Sequence, residues 1–311
     1  MNNLLSICIP TYNGGEHLKD NLDILISNVG KYEIPIIVSD NCSTDETQMV
    51  VEKAQSRYPY LIYSRNEENL GGDKNFEKAL KLSQTSYAWL IGDDDTIRND
   101  IAPILEKLKD KKPDFVFLGD PKTVGDTVKE GICEDKHLIF YELANRGLSW
   151  MSSNIFSKDM IEKGQFERYY GTRFVHLGVI LDYLGLYGMK LLYMHNKYVE
   201  MLRPGFVAYK TEIMEIYARG WSELILRVPE FTYGEKMKHF RRRTEISGML
   251  NNKVLLSAHS QGAFSYKDLK ENYEYIKLYN RSPFFVLAMI SVFPKDLGLA
   301  LRKLYRKQRS R

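Results

Sequence analysis

The fold of this chain is decided around residues 87–95, which read YAWLIGDDD. Five apolar residues followed by a glycine and three aspartates are typical of a buried strand that ends at a polar loop. Further strand-like runs occupy residues 4–9, 34–39, 60–63 and 114–118. Helix-like runs separate them at residues 17–28, 43–57 and 73–82. This alternation over the first ~120 residues predicts an α/β domain with a parallel sheet.

Three other polar segments follow strand-like runs, as the aspartates do. They read PTYNGG at residues 10–15, DNCSTD at residues 40–45 and NLGGDKNF at residues 69–76. Each segment by itself is also typical of an ordinary turn. Because ligands bind beyond the carboxyl ends of the strands in open α/β sheets, the four segments together predict one polar cleft.

The aspartate triplet indicates a metal ion within that cleft. Three adjacent carboxylates repel one another, so the site is costly without a cation. Mg²⁺ and Mn²⁺ prefer carboxylate and phosphate oxygens and often join a protein to a diphosphate through one or two carboxylates. We therefore predict that Asp94 and Asp95 bind one of these ions, with a solvated acidic turn as the alternative. The acid spacing of an EF-hand is absent.

Several protein classes are disfavoured by missing motifs. The sequence has no GxxxxGK[ST], no GxGxxG after the first strand and no GxSxG. Residues 295–311 hold seven basic residues and one acid, a net charge of +6, so the remaining chain carries 4 − 6 = −2. A nucleic-acid-binding protein more often carries its positive charge on the folded body. Three scattered cysteines fit a reducing compartment, and the start of the chain lacks a signal-peptide pattern.

Taken in order, the four polar segments resemble the inverting family-2 glycosyltransferases, and most of all the abequosyltransferase-like bacterial enzymes of surface-polysaccharide assembly. The resemblance covers residues 4–120 well and residues 149–205 more loosely. It implies a GT-A fold with a mixed, mostly parallel central sheet and a helical C-terminal region. It also implies transfer of a hexose or deoxyhexose from a nucleotide-diphosphosugar to a saccharide acceptor, with inversion at the anomeric carbon and with Mn²⁺ or Mg²⁺ as cofactor.

The resemblance also assigns roles to residues of the donor half. It implies that the loop of Pro10, Thr11, Tyr12 and Asn13 cradles the nucleobase and ribose, and that Asp40 hydrogen-bonds the edge of the base. Asp94 and Asp95 would hold the metal and the ribose-diphosphate, and Asp95 also counts as catalytic. Asp93 stands where relatives often have serine, and a ribose contact is left open for it. The remaining candidates for donor binding are Asn69, Gly71, Asp73 and Lys74, with a helix cap and an ordinary exposed lysine as alternatives for the last two.

Two histidines complete the candidate site. His176 stands near the position where many relatives carry an acidic base, and histidine is a competent base near neutral pH. It is the candidate general base or acceptor contact, with a packing histidine as the alternative; Asp182 is a weaker candidate. His195 is a candidate third metal ligand, because some GT-A enzymes place a histidine in a late strand.

The sequence predicts three regions. Residues 1–205 form the GT-A domain, with the nucleotide-sugar half at 1–120 and the acceptor half at 121–205. Residues 206–280 are helical, and residues 281–311 form a basic amphipathic tail that meets a membrane surface. We expect a cytoplasmic protein attached to the inner face of the cell membrane, acting on a lipid-linked saccharide. The alternatives are a tail helix packed on the domain, a sugar-phosphate nucleotidyltransferase, and a non-catalytic nucleotide-sugar binding protein.

Overall fold

The computed structural model describes residues 2–202 and 212–295. The chain forms two compact units. Of the described residues, one unit contains 2–170 and 174–202, and the other contains 171–173 and 212–295.

The first unit is built on a sheet of eight strands in the order β3-β2-β1-β4-β8-β6-β9-β7, with β5 and β10 paired separately. The strands are β1 (Leu5–Thr11), β2 (Ile36–Asp40), β3 (Leu61–Arg65), β4 (Tyr87–Leu90), β5 (Asp95–Ile97), β6 (Phe115–Gly119), β7 (Gly131–Cys133), β8 (Asn154–Ser157), β9 (Leu191–His195) and β10 (Val199–Met201). Strands β3, β2, β1 and β4 run parallel, as do β6 and β9. Strand β8 is antiparallel to both of its neighbours, and β7 is antiparallel to β9. The predicted mixed, mostly parallel sheet is confirmed.

Helices accompany the strands along the first unit. They are α1 (Gly15–Val29), α2 (Thr47–Gln55), α3 (Gly72–Lys81), α4 (Ala102–Lys111), α5 (Pro121–Val124), α6 (Lys136–Leu138), α7 (Lys158–Lys163) and α8 (Val175–Tyr187). Every residue of β1 and β2 is buried, as expected for parallel strands with both faces covered. Helix α1 buries Leu18, Leu22 and Leu25 because the spacing places all three on one stripe.

Local details of the first unit differ from the sequence prediction. Helix α2 begins at Thr47, four residues after Ser43, whose hydroxyl donates to Asp40 in place of capping the helix. Asp45 accepts from the backbone N–H of Thr47 at 3.0 Å and therefore caps the first turn. Residues 151–153 form a 3₁₀ turn directly before β8.

The second unit is helical. A π-helical segment, Met214–Gly220, leads into α9 (Trp221–Arg227), α10 (Tyr233–Ser247), α11 (Asn252–Ser260), α12 (Tyr266–Tyr279) and α13 (Phe284–Ser291). Capping boxes start α10 and α12. The apolar run at residues 283–293 forms α13, while the amphipathic helix predicted after Pro294 lies outside the described residues. Among the residues that the structure describes, no helix is long and apolar enough to span a bilayer.

Candidate active site

The four polar segments follow the carboxyl ends of four neighbouring parallel strands, β3, β2, β1 and β4. Thr11 and Asp40 are the last paired residues of β1 and β2. Beyond β4, the backbone N–H of Ile91 donates to the carbonyl of Cys8 at 2.9 Å, so the aspartate triplet leaves the sheet beside the loop that follows β1. The sheet therefore brings together segments that lie up to about 80 residues apart in sequence, such as Thr11 and Asp93, which are 82 positions apart.

Asp93 joins the triplet to the loop after β1. Its Oδ2 accepts a hydrogen bond of 2.6 Å from the Thr11 hydroxyl, and its carbonyl oxygen accepts from Asn21 Nδ2 at 3.2 Å. A Cβ on Gly14 would lie 2.3 Å from both the Asp93 Oδ2 and the Thr11 Oγ1, so this contact requires glycine. Burial and the neighbouring charge of Asp94 together raise the pKa of Asp93 to about 6. Asp93 thus anchors two site loops to each other, and its contact with the ribose stays a prediction.

Asp94 and Asp95 have opposite environments. Asp94 is exposed. Asp95 is only 3% exposed, and its Oδ2 accepts from Trp150 Nε1 at 2.9 Å and from the Ser152 hydroxyl. Burial and the charge of Asp94 raise the pKa of Asp95 to about 6. No sequence signal marks Trp150 and Ser152 as site residues, because nothing local links them to an aspartate more than 50 positions earlier.

The carboxylates of Asp94 and Asp95 fit a divalent cation. The Oδ1 atom of Asp95 is buried and has no hydrogen-bond partner among the described residues, and Asp94 offers an exposed carboxylate one residue away. Such an ion needs only one or two protein carboxylates when a diphosphate supplies the other oxygens. Within the described ranges, no three His, Cys, Asp or Glu side chains form a metal-binding group.

His195, the predicted third metal ligand, lies on a different set of paired strands from Asp95. His195 ends β9, and its imidazole Nδ1 lies 3.7 Å from Glu130 Oε2. Strand β9 pairs with β6 and β7, whereas Asp95 belongs to β5, which pairs with β10. His195 and Asp95 are therefore on separately paired strands, and a role of His195 as a metal ligand stays a prediction.

Asp40, the predicted contact to the edge of the base, supports the loops. It is fully buried. Its Oδ1 accepts from the backbone N–H and the hydroxyl of Ser43 at 2.9 and 2.5 Å, and its Oδ2 accepts from the Tyr63 hydroxyl at 2.6 Å. Arg65 Nε lies 3.6 Å from the same oxygen. With both oxygens engaged and no exposed surface, this carboxylate stabilises the loop after β2.

The loop after β1 exposes one aromatic ring. Pro10 and Thr11 are buried within β1 and shape the loop through the backbone. Tyr12 is 49% exposed. Asn13 adopts a φ of 52°, and its Oδ1 accepts from the backbone N–H of Thr44 at 2.8 Å. Of these four predicted donor contacts, the Tyr12 ring is the best placed to meet a ligand from solvent.

Asparagine side chains hold the loop before α3 against the end of β2. Asn41 is buried, and its Oδ1 accepts from Asn66 Nδ2 at 2.9 Å and from the backbone N–H of Leu70 at 2.8 Å. Its Nδ2 donates to Asn69 Oδ1, also at 2.8 Å. Asn69 is therefore occupied in shaping the loop. Gly71 has a φ of 82° and faces open space.

The first turn of α3 holds the last two donor candidates. Asp73 is half-buried and Lys74 is exposed. Lys74 Nζ lies 5.5 Å from the centroid of the Tyr170 ring, a cation–π contact. Exposed N–H groups at a helix start favour anions, so Lys74 and the bare backbone at Gly71 together suit a negatively charged ligand.

His176 does not have the environment of a general base. It is 3% exposed, and its Nε2 lies 3.1 Å from the Ser149 carbonyl oxygen, to which it donates. Burial lowers the pKa of His176 to about 4. The rings of Phe76 and Phe174 lie 6.2 and 6.5 Å away. Helix α8 is buried along most of its length, so a residue at its start points into packed side chains, an environment that favours the packing alternative for His176.

Asp182, the weaker candidate for the base, is likewise engaged. It is 2% exposed and accepts hydrogen bonds from Arg168 and from the Tyr169 hydroxyl. A carboxylate in this state serves the packing of α8.

Comparison with known proteins defines the class to which this fold and cleft belong. The chain is a member of glycosyl transferase family 2, whose sequence pattern matches residues 6–170. Abequosyltransferase RfbV of Salmonella typhimurium is 30% identical over 220 residues, which are 63% of this chain and 66% of that protein. The chain therefore spans about two thirds of that relative.

Two solved structures share the fold across nearly the whole chain. TarS residues 1–349 of Staphylococcus aureus, solved with UDP-GlcNAc, has a TM-score of 0.57 at 16% identity and covers 98% of this chain and 92% of its own. The mannosyltransferase PcManGT of Pyrobaculum calidifontis, solved with GDP-Man and Mn²⁺, has a TM-score of 0.54 at 15% identity and covers 97% and 87%. The predicted GT-A fold is confirmed.

Proposed function

We propose that this chain transfers a hexose or deoxyhexose from a nucleotide-diphosphosugar to a saccharide acceptor, with inversion, during synthesis of a bacterial surface glycan. The observation that carries the proposal is the exposed carboxylate of Asp94 beside the unpaired Oδ1 of Asp95, at the carboxyl ends of parallel strands. Membership of the family supports the reaction class, and the resemblance to RfbV, itself an abequosyltransferase, supports a deoxyhexose donor.

In this proposal Asp94 and Asp95 hold Mn²⁺ or Mg²⁺, which would neutralise the charge that develops on the departing diphosphate. Trp150 and Ser152 keep the Asp95 carboxylate in one orientation. Asp93 and Thr11 fix the loop that presents the Tyr12 ring to the base. The Mn²⁺ in PcManGT supports a metal in this class of cleft.

Lys74 is proposed to attract the donor diphosphate from the start of α3. Its ammonium group is exposed, and the Tyr170 ring beside it restricts its position. Lysine contributes a point charge that suits phosphate oxygens. Since Asp73 is in the same helical turn, we place it next to the donor sugar. Its carboxylate would accept hydrogen bonds from the sugar hydroxyls.

The acceptor is proposed to be a lipid-linked saccharide at the inner face of the cell membrane. The net charge of +6 on residues 295–311 supports attraction to anionic headgroups. The reaction also needs a base to take the acceptor proton. The buried His176 positions α8 and leaves that base to a group facing the cleft.

A thermal-shift panel tests donor and metal together. UDP-, TDP-, GDP- and CDP-sugars are added to the full chain with Mn²⁺ and with EDTA. We expect one nucleotide class to raise the Tm by a few degrees in Mn²⁺ only, because a ligand of the folded state stabilises it by mass action. Absence of a shift with every nucleotide-sugar in Mn²⁺ would contradict the proposal, and stabilisation by nucleoside triphosphate with sugar phosphate would favour a nucleotidyltransferase.

A further inference from the structure

Helix α13 carries an apolar stripe on its outer side. Phe285, Met289 and Val292 are 64%, 57% and 65% exposed. Their spacing of four and three residues places them on one face of a helix and of the turn that ends it. Isolated exposed apolar residues are ordinary, but three large ones in a row form a surface that favours contact with an apolar partner.

The stripe faces outward because the opposite side of α13 is anchored in the second unit. Leu287 is fully buried and Ser291 is 3% exposed. Phe284 packs edge-on against Tyr273, with ring centroids 5.0 Å apart. Beyond the helix, the carbonyl oxygen of Phe293 lies 2.8 Å from the Nε2 of the buried His259. These contacts fix the rotation of α13 about its axis, so the stripe is a built feature of the folded unit.

Aromatic rings lie beside α13, and positive charge follows the stripe in the sequence. The ring of Tyr266 packs against Phe284, with centroids 6.4 Å apart, and Lys270 Nζ lies 5.6 Å from the Tyr266 centroid. Lys295 follows the stripe directly and is exposed. It begins the segment 295–311, which carries a net charge of +6. Apolar side chains next to aromatic rings and lysines are the composition of surfaces that lie at a membrane interface.

We propose that Phe285, Met289 and Val292 insert into the headgroup region of an anionic phospholipid bilayer, with α13 lying along its surface. The positive charge of the segment that begins at Lys295 favours this occupant over a second copy of the chain, because two copies would bring the same positive charges together. The inference rests on the proposed function in one respect, namely that the acceptor is bound to a membrane. It assigns attachment to the folded helix α13 in addition to the basic tail.

Vesicle binding tests the proposal with the full chain. The variant Phe285→Ser/Met289→Ser/Val292→Ser is compared with Met49→Ser/Ile62→Ser/Tyr187→Ser, which removes three exposed apolar side chains from the first unit. Sedimentation is measured with vesicles of phosphatidylglycerol and phosphatidylethanolamine. We expect the stripe variant to lose at least about tenfold in vesicle affinity, since each inserted side chain contributes transfer free energy, while the control binds as the wild type does. Equal binding by all three proteins would overturn the proposal.

A second measurement does not depend on loss of binding. The variant Phe285→Trp is added to vesicles with brominated acyl chains, and we expect quenching of its added emission, measured relative to the wild type. No extra quenching would contradict insertion. Light scattering without vesicles compares the molecular mass of the stripe variant with that of the wild type. A lower mass together with unchanged vesicle binding would show that a second copy covers the stripe. Because these assays contain no nucleotide-sugar, their outcome is independent of the catalytic proposal.

Discussion

Asp93, Asp94 and Asp95 carry the same carboxyl group, but the fold gives each a different environment. Asp93 hydrogen-bonds Thr11, Asp94 is exposed to solvent, and Asp95 is buried with one oxygen bound and the other unpaired. Three acids in sequence thus divide into an anchor, an exposed candidate ligand and a rigid candidate ligand. The division follows from neighbours that come from distant parts of the chain.

We expect Asp94→Asn to lower glycosyl transfer at least about a hundredfold, because removing one preorganised electrostatic contact commonly costs this much. The same variant should lose the Mn²⁺-dependent thermal shift. Its Tm without metal should stay unchanged, since Asp94 is exposed. Asp110→Asn on α4, also exposed, is the control. Wild-type turnover by EDTA-treated Asp94→Asn would exclude the proposed metal role.

His176 should make folding sensitive to acid. Burial lowers the pKa of His176 to about 4 from an ordinary value of 6.5, so between these pH values the unfolded chain binds a proton that the folded chain does not. Stability therefore falls as the pH falls through this window, by on the order of 2 kcal/mol between pH 7 and pH 5. His176→Gln keeps a donor for the Ser149 carbonyl but does not titrate.

Urea unfolding at the two pH values measures this effect. We expect the loss of unfolding free energy on acidification to be smaller in His176→Gln than in the wild type, while the exposed His137→Gln leaves it unchanged. Transfer activity at pH 7 separates the two roles of His176. A packing role predicts less than about a tenfold loss in the glutamine variant, whereas a hundredfold loss at constant donor affinity would restore His176 as the base.

At the scale of elements, the site depends on how a loop is fastened to the sheet. The segment from Asn66 to Gly71 contains no helix or strand, and side-chain amides hold it to the end of β2. Amide groups suit this position, because each one supplies both donors and an acceptor for exposed backbone groups. The start of α3, with Lys74, is thereby set beside the cleft.

Asn41→Ala tests this fastening. It removes three hydrogen bonds of 2.8–2.9 Å from a side chain that is 2% exposed. We expect the free energy of unfolding to drop by about 1–3 kcal/mol, because buried partners are left unsatisfied. Amide exchange should accelerate over residues 66–72. Asn28→Ala, which removes a single bond to the Ile97 carbonyl, should leave amide exchange over residues 66–72 unchanged. Equal exchange there in both variants would disprove the fastening role.

At the scale of the whole molecule, positive charge is concentrated in the last residues of the sequence. Residues 296–311 hold six basic residues and one acid, or +5, so deleting them changes the net charge from +4 to −1. Each basic residue near an anionic surface contributes roughly 1 kcal/mol at low salt. Attachment by this segment should therefore be electrostatic, whereas attachment by the α13 stripe should resist salt.

We expect the chain lacking residues 296–311 to bind anionic vesicles at least about tenfold more weakly in 0.1 M salt. In 0.5 M salt its binding should equal that of the full chain, because screening removes the contribution of the tail and leaves that of the stripe. Sedimentation across a salt series measures both. The Tm shift with donor should persist in the truncated chain, and an unaltered salt dependence would argue against an electrostatic tail.

The order of strands, turns and helices in the first ~120 residues was readable because it is written in local patterns. Apolar runs that end on Gly, Asn and Asp mark strands with polar ends, and the topology of parallel sheets brings such ends to one edge. These rules suffice to predict the α/β class and the cleft, and the motifs suffice to indicate the family.

Tertiary structure alone decided what individual side chains do there. The pairing of Asp95 with Ser152 joins residues 57 positions apart, and no local pattern encodes it. Burial of Asp40 and His176, and the position of His195 beside Glu130, likewise depend on which elements pack together. Sequence spacing determines which groups reach an edge of the sheet, whereas packing determines which of them still face solvent, and only those can meet a ligand.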